Sequence, residues 1–193
     1  MTDVVEDPLF DQVVNTDPVD GYIRRSAVLS RELNEQGIAR YRYVLERTWD
    51  YERPLALWIM LNPSTADAFV DDATIRRCRD FSKTYGMGSI RVINMFAFRT
   101  HNPKRMLAAA AAGVDVVGPQ NDELIIGDLA GMNVKGGLTI CAWGTGGPVA
   151  KLLVEREAWL REHYYGAWCL GQTKDGHPKH PLYLPSVTAL SAW

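Results

Sequence analysis

The alternation of apolar and polar segments along the chain predicts buried strands that are separated by helices. The clearest strand is the run of apolar residues at 55–61, which is too short for a free-standing helix and is typical of a strand covered on both faces. Pro63 ends this strand because it provides no N–H group for a strand ladder. Asp71, Asp72 and Thr74 are candidate caps for the helix that is predicted to follow, through residues 75–81.

Later apolar segments predict the other strands of the same sheet, at residues 89–98, 138–143 and 167–170. The segments between them predict helices at 106–112, from a cap at 118–122 to residue 129, and at 149–163. Strands that alternate with helices form parallel pairs, and we therefore expect an α/β fold with a mainly parallel central sheet.

Two strand-like segments, at 23–30 and 39–49, precede these elements and are joined by a polar turn. In the second segment Tyr41 and Tyr43 alternate with arginines, which predicts one buried face and one solvent-facing side. The two segments predict an antiparallel hairpin beside the sheet. We therefore predict a single three-layer α/β/α domain at 21–193, with this N-terminal hairpin. Residues 1–20 are acidic and lack a strand or helix period, and we expect them to form a flexible arm.

Composition limits the class of protein. The 193 residues fit one domain, and no apolar run approaches the roughly 20 residues that a membrane span needs. Cys78, Cys141 and Cys169 are odd in number and widely spaced, which favours reduced thiols and a cytoplasmic protein. The net charge of −2 argues against a surface that binds nucleic acid everywhere, although it allows a local basic patch. No residue spacing indicates a metal site, and we expect no cofactor and a monomer.

The predicted strands end in polar loops, and in a parallel sheet these loops face one crevice. The candidate site residues in and beside these loops are Asn62, Pro63, Ser64, Asp67, Asp72, Asn94, Phe96, Arg99, Gly144, Lys174, His177 and His180.

Short motifs at three of these positions resemble the uracil-DNA glycosylase superfamily. Leu61-Asn62-Pro63-Ser64 is similar to the Gly-Ile-Asn-Pro-Gly motif of the mismatch-specific and thymine-DNA branch. Ile93-Asn94 is similar to the middle-strand Asn of some branches, and His180-Pro181 is similar to the His-Pro-Ser motif. The resemblance implies that Asn62 positions the attacking water, that Asn94 reads the base edge and that His180 contacts a base carbonyl. It also implies a fold of that superfamily's type.

The chain departs from these motifs at three positions. Met60 and Ser64 stand where the glycosylase motif has glycine, and Leu182 stands where it has serine. Glycine allows a backbone to approach a flipped nucleotide closely, so these departures affect the contact with DNA more than the base pocket.

A longer resemblance is to an uncharacterised bacterial and phage family, a domain of unknown function of the DUF1643 type. It covers about residues 24–184. The motifs that carry it are Leu61-Asn62-Pro63-Ser64-Thr65-Ala66-Asp67, Asn94-Met95-Phe96-Ala97, Gly118-Pro119-Gln120-Asn121-Asp122, Ala142-Trp143-Gly144, Thr173-Lys174-Asp175-Gly176 and His180-Pro181-Leu182.

Cleavage of an N-glycosidic bond places positive charge on the sugar and negative charge on the departing base. The site therefore needs a carboxylate or an oriented water on one side and hydrogen-bond donors on the other. Asn62 can hold a water but cannot act as a strong base, and Asp67, Asp71 or Asp72 would supply the carboxylate. The alternatives are structural: Asn62 also suits a turn, and Asp71 and Asp72 also suit a helix cap. Asn94 needs a partner, which is either a ligand or the backbone.

We predict a DNA glycosylase-like hydrolase that acts on a normal or modified nucleobase, with a nucleobase or nucleotide in DNA as its partner. Arg99, Lys104, Arg105, Lys174 and Lys179 would bind phosphate at its rim, although such residues also suit a solvated charged edge. Gly144 and His177 would contact the substrate. Two alternatives remain open. One is a nucleotide or nucleic-acid binding module without catalysis, and the other is an enzyme of free nucleotides or nucleosides.

Overall fold

A mixed β-sheet forms the centre of the molecule. The structure is a computed structural model that describes residues 3–7, 10–16, 21–135 and 137–193. In these residues the strands are β1 (Asp3–Asp7), β2 (Phe10–Thr16), β3 (Arg24–Leu29), β4 (Arg42–Thr48), β5 (Leu55–Met60), β6 (Ser89–Asn94), β7 (Leu138–Cys141), β8 (Trp168–Cys169) and β9 (Ser191–Ala192). Their order across the sheet is β1-β2-β3-β4-β6-β5-β7-β8-β9.

Helices cover both faces of this sheet. The helices of the described residues are α1 (Ala73–Thr84), α2 (Pro103–Ala111), α3 (Asn121–Lys135) and α4 (Ala150–His163), with 3-10 turns at Gly147–Val149 and Pro181–Tyr183. The apolar residues of α1 pack with Trp58 of β5, whereas α3 and α4 pack with Leu57 and Ile59 of the same strand. Successive strand residues point to opposite faces, so α1 lies on one face and α3 and α4 lie on the other. No helix in the described part of the chain is long and apolar enough to cross a membrane.

The α/β class is confirmed, but the prediction of a mainly parallel sheet is wrong. Only β6, β5, β7 and β8 pair in parallel. The pairs along β1-β2-β3-β4-β6 and the pair β8-β9 are antiparallel. The difference arises because the predicted hairpin, β3 and β4, does not lie beside the sheet. It pairs directly with β6 and continues the sheet outwards.

The predicted strand, helix and strand around the first motif are confirmed. The Asp72 carboxylate caps α1, accepting a hydrogen bond from the Ile75 N–H at 2.9 Å. Helix α2 begins at Pro103, three residues earlier than predicted. Asn102 caps it by accepting from the Lys104 N–H at 3.0 Å, and proline fits the first turn of a helix.

The N-terminal arm contains two strands that its sequence did not predict. Strands β1 and β2 pair with each other, and β2 also pairs with β3. The rest of the predicted arm, residues 1–2, 8–9 and 17–20, lies outside the described residues. The flexibility of the arm remains a prediction.

Strand β4 is buried on both faces, and its predicted solvent-facing side is therefore wrong. Arg42 is 2% exposed and Arg47 is fully buried. The loop after β5 covers them: Arg42 donates to the Ala66 carbonyl at 2.6 Å, and Arg47 donates to the Asp71 carboxylate at 2.7 Å. The two arginines thus hold this loop against the sheet.

Candidate functional site

A cleft of about 670 Å³ opens at the carboxyl ends of β5 and β6. Its walls are the loop after β5, the segment from the end of β6 into α2, and the tip of the hairpin between β3 and β4. The residues that line this cleft are Asn34, Glu35, Gln36, Ile38, Arg40, Ser64, Thr65, Asp67, Phe98, Arg99, Thr100, His101, Arg105, Ala108, Ala109 and Val114. The carboxyl edge of parallel strands is the usual position of ligand sites in α/β proteins.

Asn62 ties two walls of the cleft together. Its side-chain amide donates to the Pro63 carbonyl at 3.0 Å and to the Thr100 carbonyl at 2.7 Å. The Thr100 N–H in turn donates to the Pro63 carbonyl at 2.9 Å, and Pro63 itself is buried. Both N–H bonds of the Asn62 amide are therefore committed to the backbone. Its role in positioning water remains a prediction.

Asp67 and Arg99 lie side by side on the cleft wall. One carboxylate oxygen of Asp67 forms a turn by accepting from the N–H groups of Phe69 and Val70, at 2.8 and 3.0 Å. The other oxygen lies 3.5 Å from an Arg99 nitrogen. Arg99 also donates to the Ser64 carbonyl at 3.4 Å. The cleft thus holds a carboxylate and a guanidinium group that are only loosely paired.

The cations of the cleft outnumber its carboxylates. Arg40, Arg99 and Arg105 line it together with two acids, Glu35 and Asp67. Arg40 is already paired with Glu32, outside the cleft lining, at 2.8 Å.

Directly behind the wall lies Arg42. No carboxylate of the described residues forms an ion pair with it, and its buried Nε has no hydrogen-bond partner in that part of the chain. The pKa of Arg42 is lowered to about 9, mainly by burial. The nearby positive charge of Arg99 acts in the same direction, and the carboxylates of Asp72 and Asp67 act in the opposite one.

Asp72, Gly144 and His180 form a second group, the His180 cluster. The N–H of Gly144 donates to the Pro178 carbonyl at 2.9 Å, and a Cβ added at this glycine would lie 3.5 Å from the His180 Cβ. Burial lowers the pKa of His180, while the charge of Asp72 acts in the opposite direction. His180 accepts from the Leu182 N–H at 3.3 Å and thereby caps the 3-10 turn that follows.

His177 pairs with helix α4. Its Nδ1 lies 2.7 Å from the Glu157 carboxylate, and the same oxygen accepts a hydrogen bond from the indole of Trp143. Glu157 therefore connects the middle of α4 to the end of β7 and to the loop after β8. Lys174 is exposed in that loop and does not line the cleft.

Asn94 and Phe96 are both 1% exposed and do not line the cleft. Phe96 packs in the apolar core. The Asn94 carbonyl accepts from the side-chain amide of Asn121 at 3.0 Å, but the Asn94 side-chain nitrogen has no hydrogen-bond partner among the described residues.

The residues that were predicted to face one crevice lie in separate groups in the structure. Ser64, Asp67 and Arg99 meet in the cleft, whereas Asp72, Gly144 and His180 form the His180 cluster. Of the basic residues predicted at the rim, Arg99 and Arg105 line the cleft, but sequence reasoning missed the hairpin wall. The signal for the wall was the polar turn at 34–37, which was interpreted only as a connection between strands. Within the described residues, no group of three or more His, Cys, Asp or Glu is arranged to hold a metal ion.

These features define a mixed α/β protein with a charged cleft at the carboxyl edge of its parallel strands. The chain belongs to the family described as Protein of unknown function (DUF1643), whose model matches residues 42–182. The match begins with β4 and ends in the 3-10 turn after His180, so it includes Asp67, Arg99 and the His180 cluster. The predicted membership of this family is confirmed. No curated protein and no solved structure matches the chain.

Proposed function

We propose that this chain hydrolyses the N-glycosidic bond of a nucleobase-bearing substrate that binds in the cleft. The observation that carries the proposal is the pair formed by the Asp67 carboxylate and the Arg99 guanidinium on the cleft wall. The volume of about 670 Å³ is in the range of small-molecule sites and suits one nucleoside or nucleotide unit.

The two side chains fit the two charges that develop in this reaction. The bond from the sugar carbon to the base nitrogen breaks, and the base departs with the electron pair and takes up a proton. The oxygen of a water molecule bonds to the sugar carbon, one O–H bond of that water breaks, and the released proton balances the one that the base takes up. Asp67 would stabilise the positive charge on the sugar or orient the water, and Arg99 would stabilise the negative charge on the departing base. Phe98 offers an apolar surface on which the base can stack.

The motif resemblance supports the same reaction but assigns His180 to the base carbonyl. His180 does not line the cleft, so that role requires a substrate that extends from the cleft to the His180 cluster. Burial lowers the pKa of His180, which favours a neutral imidazole near neutral pH. A neutral imidazole can donate only one hydrogen bond to a base carbonyl.

A second candidate is a module that binds nucleotides without catalysis. This candidate is favoured because several candidate catalytic groups already form hydrogen bonds within the protein. The Asn62 amide and one oxygen of each of Asp67 and Asp72 form hydrogen bonds with backbone groups.

The test is base release, followed by mass spectrometry, from a panel of normal and modified nucleobases in DNA and in free nucleosides and nucleotides. We expect release by the unaltered protein and a rate at least about 100-fold lower for Asp67→Asn, because general acid–base groups contribute about that much or more. Asparagine still forms the turn at this position, so the variant removes mainly the charge.

Asp115→Asn is the matched control, because Asp115 accepts from the N–H groups of Val117 and Gly118 in a similar turn outside the cleft lining. It should retain full activity. Equal activity of both variants would remove Asp67 from the mechanism. Binding without release from any substrate would favour the second candidate.

A further inference from the structure

We infer that the cleft contains an anion subsite between Arg99 and Arg105 and that it binds the phosphate group of a nucleotide. The inference rests on the proposed function for the nucleobase part of the ligand and goes beyond it in the substrate class. It specifies a phosphorylated ligand, whereas the proposed reaction is equally compatible with an unphosphorylated nucleoside.

The first support is the charge that remains uncompensated at the cleft surface. Arg105 is exposed to the cleft, and its side chain has no hydrogen-bond or ion-pair partner among the described residues. Arg99 is only 10% exposed, and its one carboxylate contact, to Asp67, is long at 3.5 Å. Glu35 is the other acid of the cleft and lies on the hairpin wall. Arginine binds phosphate with two parallel hydrogen bonds, so the loosely paired Arg99 and the free Arg105 suit this group.

The second support is Arg42, directly behind the cleft wall. Its guanidinium donates to the Ala66 carbonyl, but it lacks a carboxylate partner in the described part of the chain, and its Nε is buried without a partner. A buried cation without a counter-ion is unfavourable. The positive charge of Arg99 makes the buried charge of Arg42 still less favourable, because it contributes to the lowered pKa of Arg42. An anion bound at Arg99 would reduce the repulsion between these two cations.

The third support is the first turn of α2. The turn contains Lys104 and Arg105 and no acidic residue. The helix dipole makes cations unfavourable at this end and anions favourable, so the position of Arg105 opposes local helix stability. Backbone N–H groups at the same end suit a phosphate. Basic residues placed against a local preference are typical of a functional site.

The experiment measures binding without turnover. Isothermal titration calorimetry would compare the four deoxynucleoside 5′-monophosphates with the matching deoxynucleosides, inorganic phosphate and a short single-stranded oligonucleotide that lacks a terminal phosphate. We expect at least one monophosphate to bind about tenfold or more tightly than its nucleoside, because hydrogen bonds between charged groups supply about that factor.

Arg105→Gln and Lys104→Gln form a matched pair. Both remove one positive charge from the first turn of α2, but only Arg105 lines the cleft. Arg105→Gln should remove most of the preference for phosphate, and Lys104→Gln should keep it. Equal losses in the two variants would overturn the subsite, as would equal affinities for nucleoside and monophosphate or an absence of nucleotide binding.

The binding of the oligonucleotide shows whether the phosphate belongs to a polymer or to a free nucleotide. Binding as tight as that of the monophosphate, with the same loss in Arg105→Gln, would support the subsite and identify a phosphodiester of a polymer. Binding of the monophosphate alone would support it and identify a free nucleotide. Asp67→Asn separates this inference from the proposed reaction. It should abolish base release and retain phosphate-dependent binding, so either proposal can fail while the other stands.

Discussion

At the scale of single residues, the wall of the cleft is shaped by side chains that bond to backbone carbonyls. Arg42 bonds to Ala66, and Asn62 bonds to Thr100. These bonds replace the regular hydrogen bonding that a loop lacks, and they place Asp67 and Arg99 without the help of a ligand. A site that is ordered before binding loses less conformational entropy when the ligand arrives.

The partly buried imidazole of His180 gives the fold a dependence on pH. Burial lowers its pKa, so between its folded and unfolded pKa values the unfolded chain binds more protons than the folded one. The stability contributed by neutral His180 is therefore present above the ordinary histidine pKa and is lost as the pH falls below it. We expect the free energy of unfolding to fall between about pH 7 and about pH 5.5, and to fall less in His180→Asn.

Urea denaturation at the two pH values measures this effect. The asparagine side chain can still accept the hydrogen bond from the Leu182 N–H, so the 3-10 turn keeps its cap. An identical pH dependence in both proteins would mean that His180 titrates in the folded protein as it does in the unfolded chain.

Residue roles were predictable where the signal is local. A cap at Asp71, Asp72 or Thr74 follows from polar residues before the predicted helix, and the structure shows that Asp72 is the cap. The burial of Arg42 was not predictable, because the loop that covers it lies more than twenty residues further along the chain. Arginines that alternate with tyrosines in a strand look solvent-facing unless the covering segment is known. The site was predicted only in part for the same reason: Asp67 and Arg99 follow strand ends, but the hairpin wall reaches them through the tertiary fold.

At the scale of elements, Glu157 joins three parts of the fold. Its carboxylate accepts from Trp143 after β7 and contacts His177 in the loop after β8. Trp143 is 2% exposed, so its indole N–H has no access to bulk water if this acceptor is removed.

We expect Glu157→Ala to lower the free energy of unfolding by about 1–3 kcal/mol, the usual effect of leaving a buried donor unsatisfied. Glu157→Gln keeps an acceptor and should lose less. Urea denaturation provides the comparison, with Glu155→Ala as the control because Glu155 is exposed on the same helix. If Glu155→Ala destabilises the protein as much as Glu157→Ala, the observed loss arises from helix α4 and not from this contact.

The elements that sequence reasoning found and those that it missed differ in how they are stabilised. Strands β5, β6 and β7 are largely buried and mainly apolar in sequence, and β5 is a continuous apolar run. Strands β1, β2 and β9 lie towards the edges of the sheet and depend on pairing with a neighbour, and they carry no such run. Helix α2 began earlier than predicted because the cap and proline at 102–103 were assigned to a loop.

At the scale of the whole molecule, the sheet has two parts that meet at one pairing. Strands β1 to β4 are antiparallel, and β4 joins them to the parallel strands through β6, from Leu45 opposite Val92 to Thr48 opposite Ser89. Strand β3 is protected from becoming an edge by its pairing with β2.

Deletion of residues 1–20 removes this protection. The variant would expose the unpaired backbone of β3 beside Ala27 and Val28, which are buried in the intact protein. Exposed edges of this kind pair with other chains. We therefore expect self-association that rises with concentration, measured by size-exclusion chromatography with light scattering.

Deletion of residues 1–9 is the control for this variant, because it removes β1 and leaves β3 paired with β2. It should self-associate less. If the variant without residues 1–20 self-associates no more than the intact protein, this would support the prediction that the N-terminal segment is a flexible arm.

The hairpin wall of the cleft and the two charged residues of the opposite wall come from different parts of the sequence. Residues 34–40 shape one wall and precede the stretch 42–182 that defines the family, whereas Asp67 and Arg99 lie within that stretch. The tip of the hairpin contributes no strand to the parallel part of the sheet. For the proposed site, we therefore expect insertions or exchanges in this tip to alter which ligand fits while Asp67 and Arg99 stay in the opposite wall. The choice of ligand could then evolve, or be engineered by grafting, independently of the residues proposed for the chemistry.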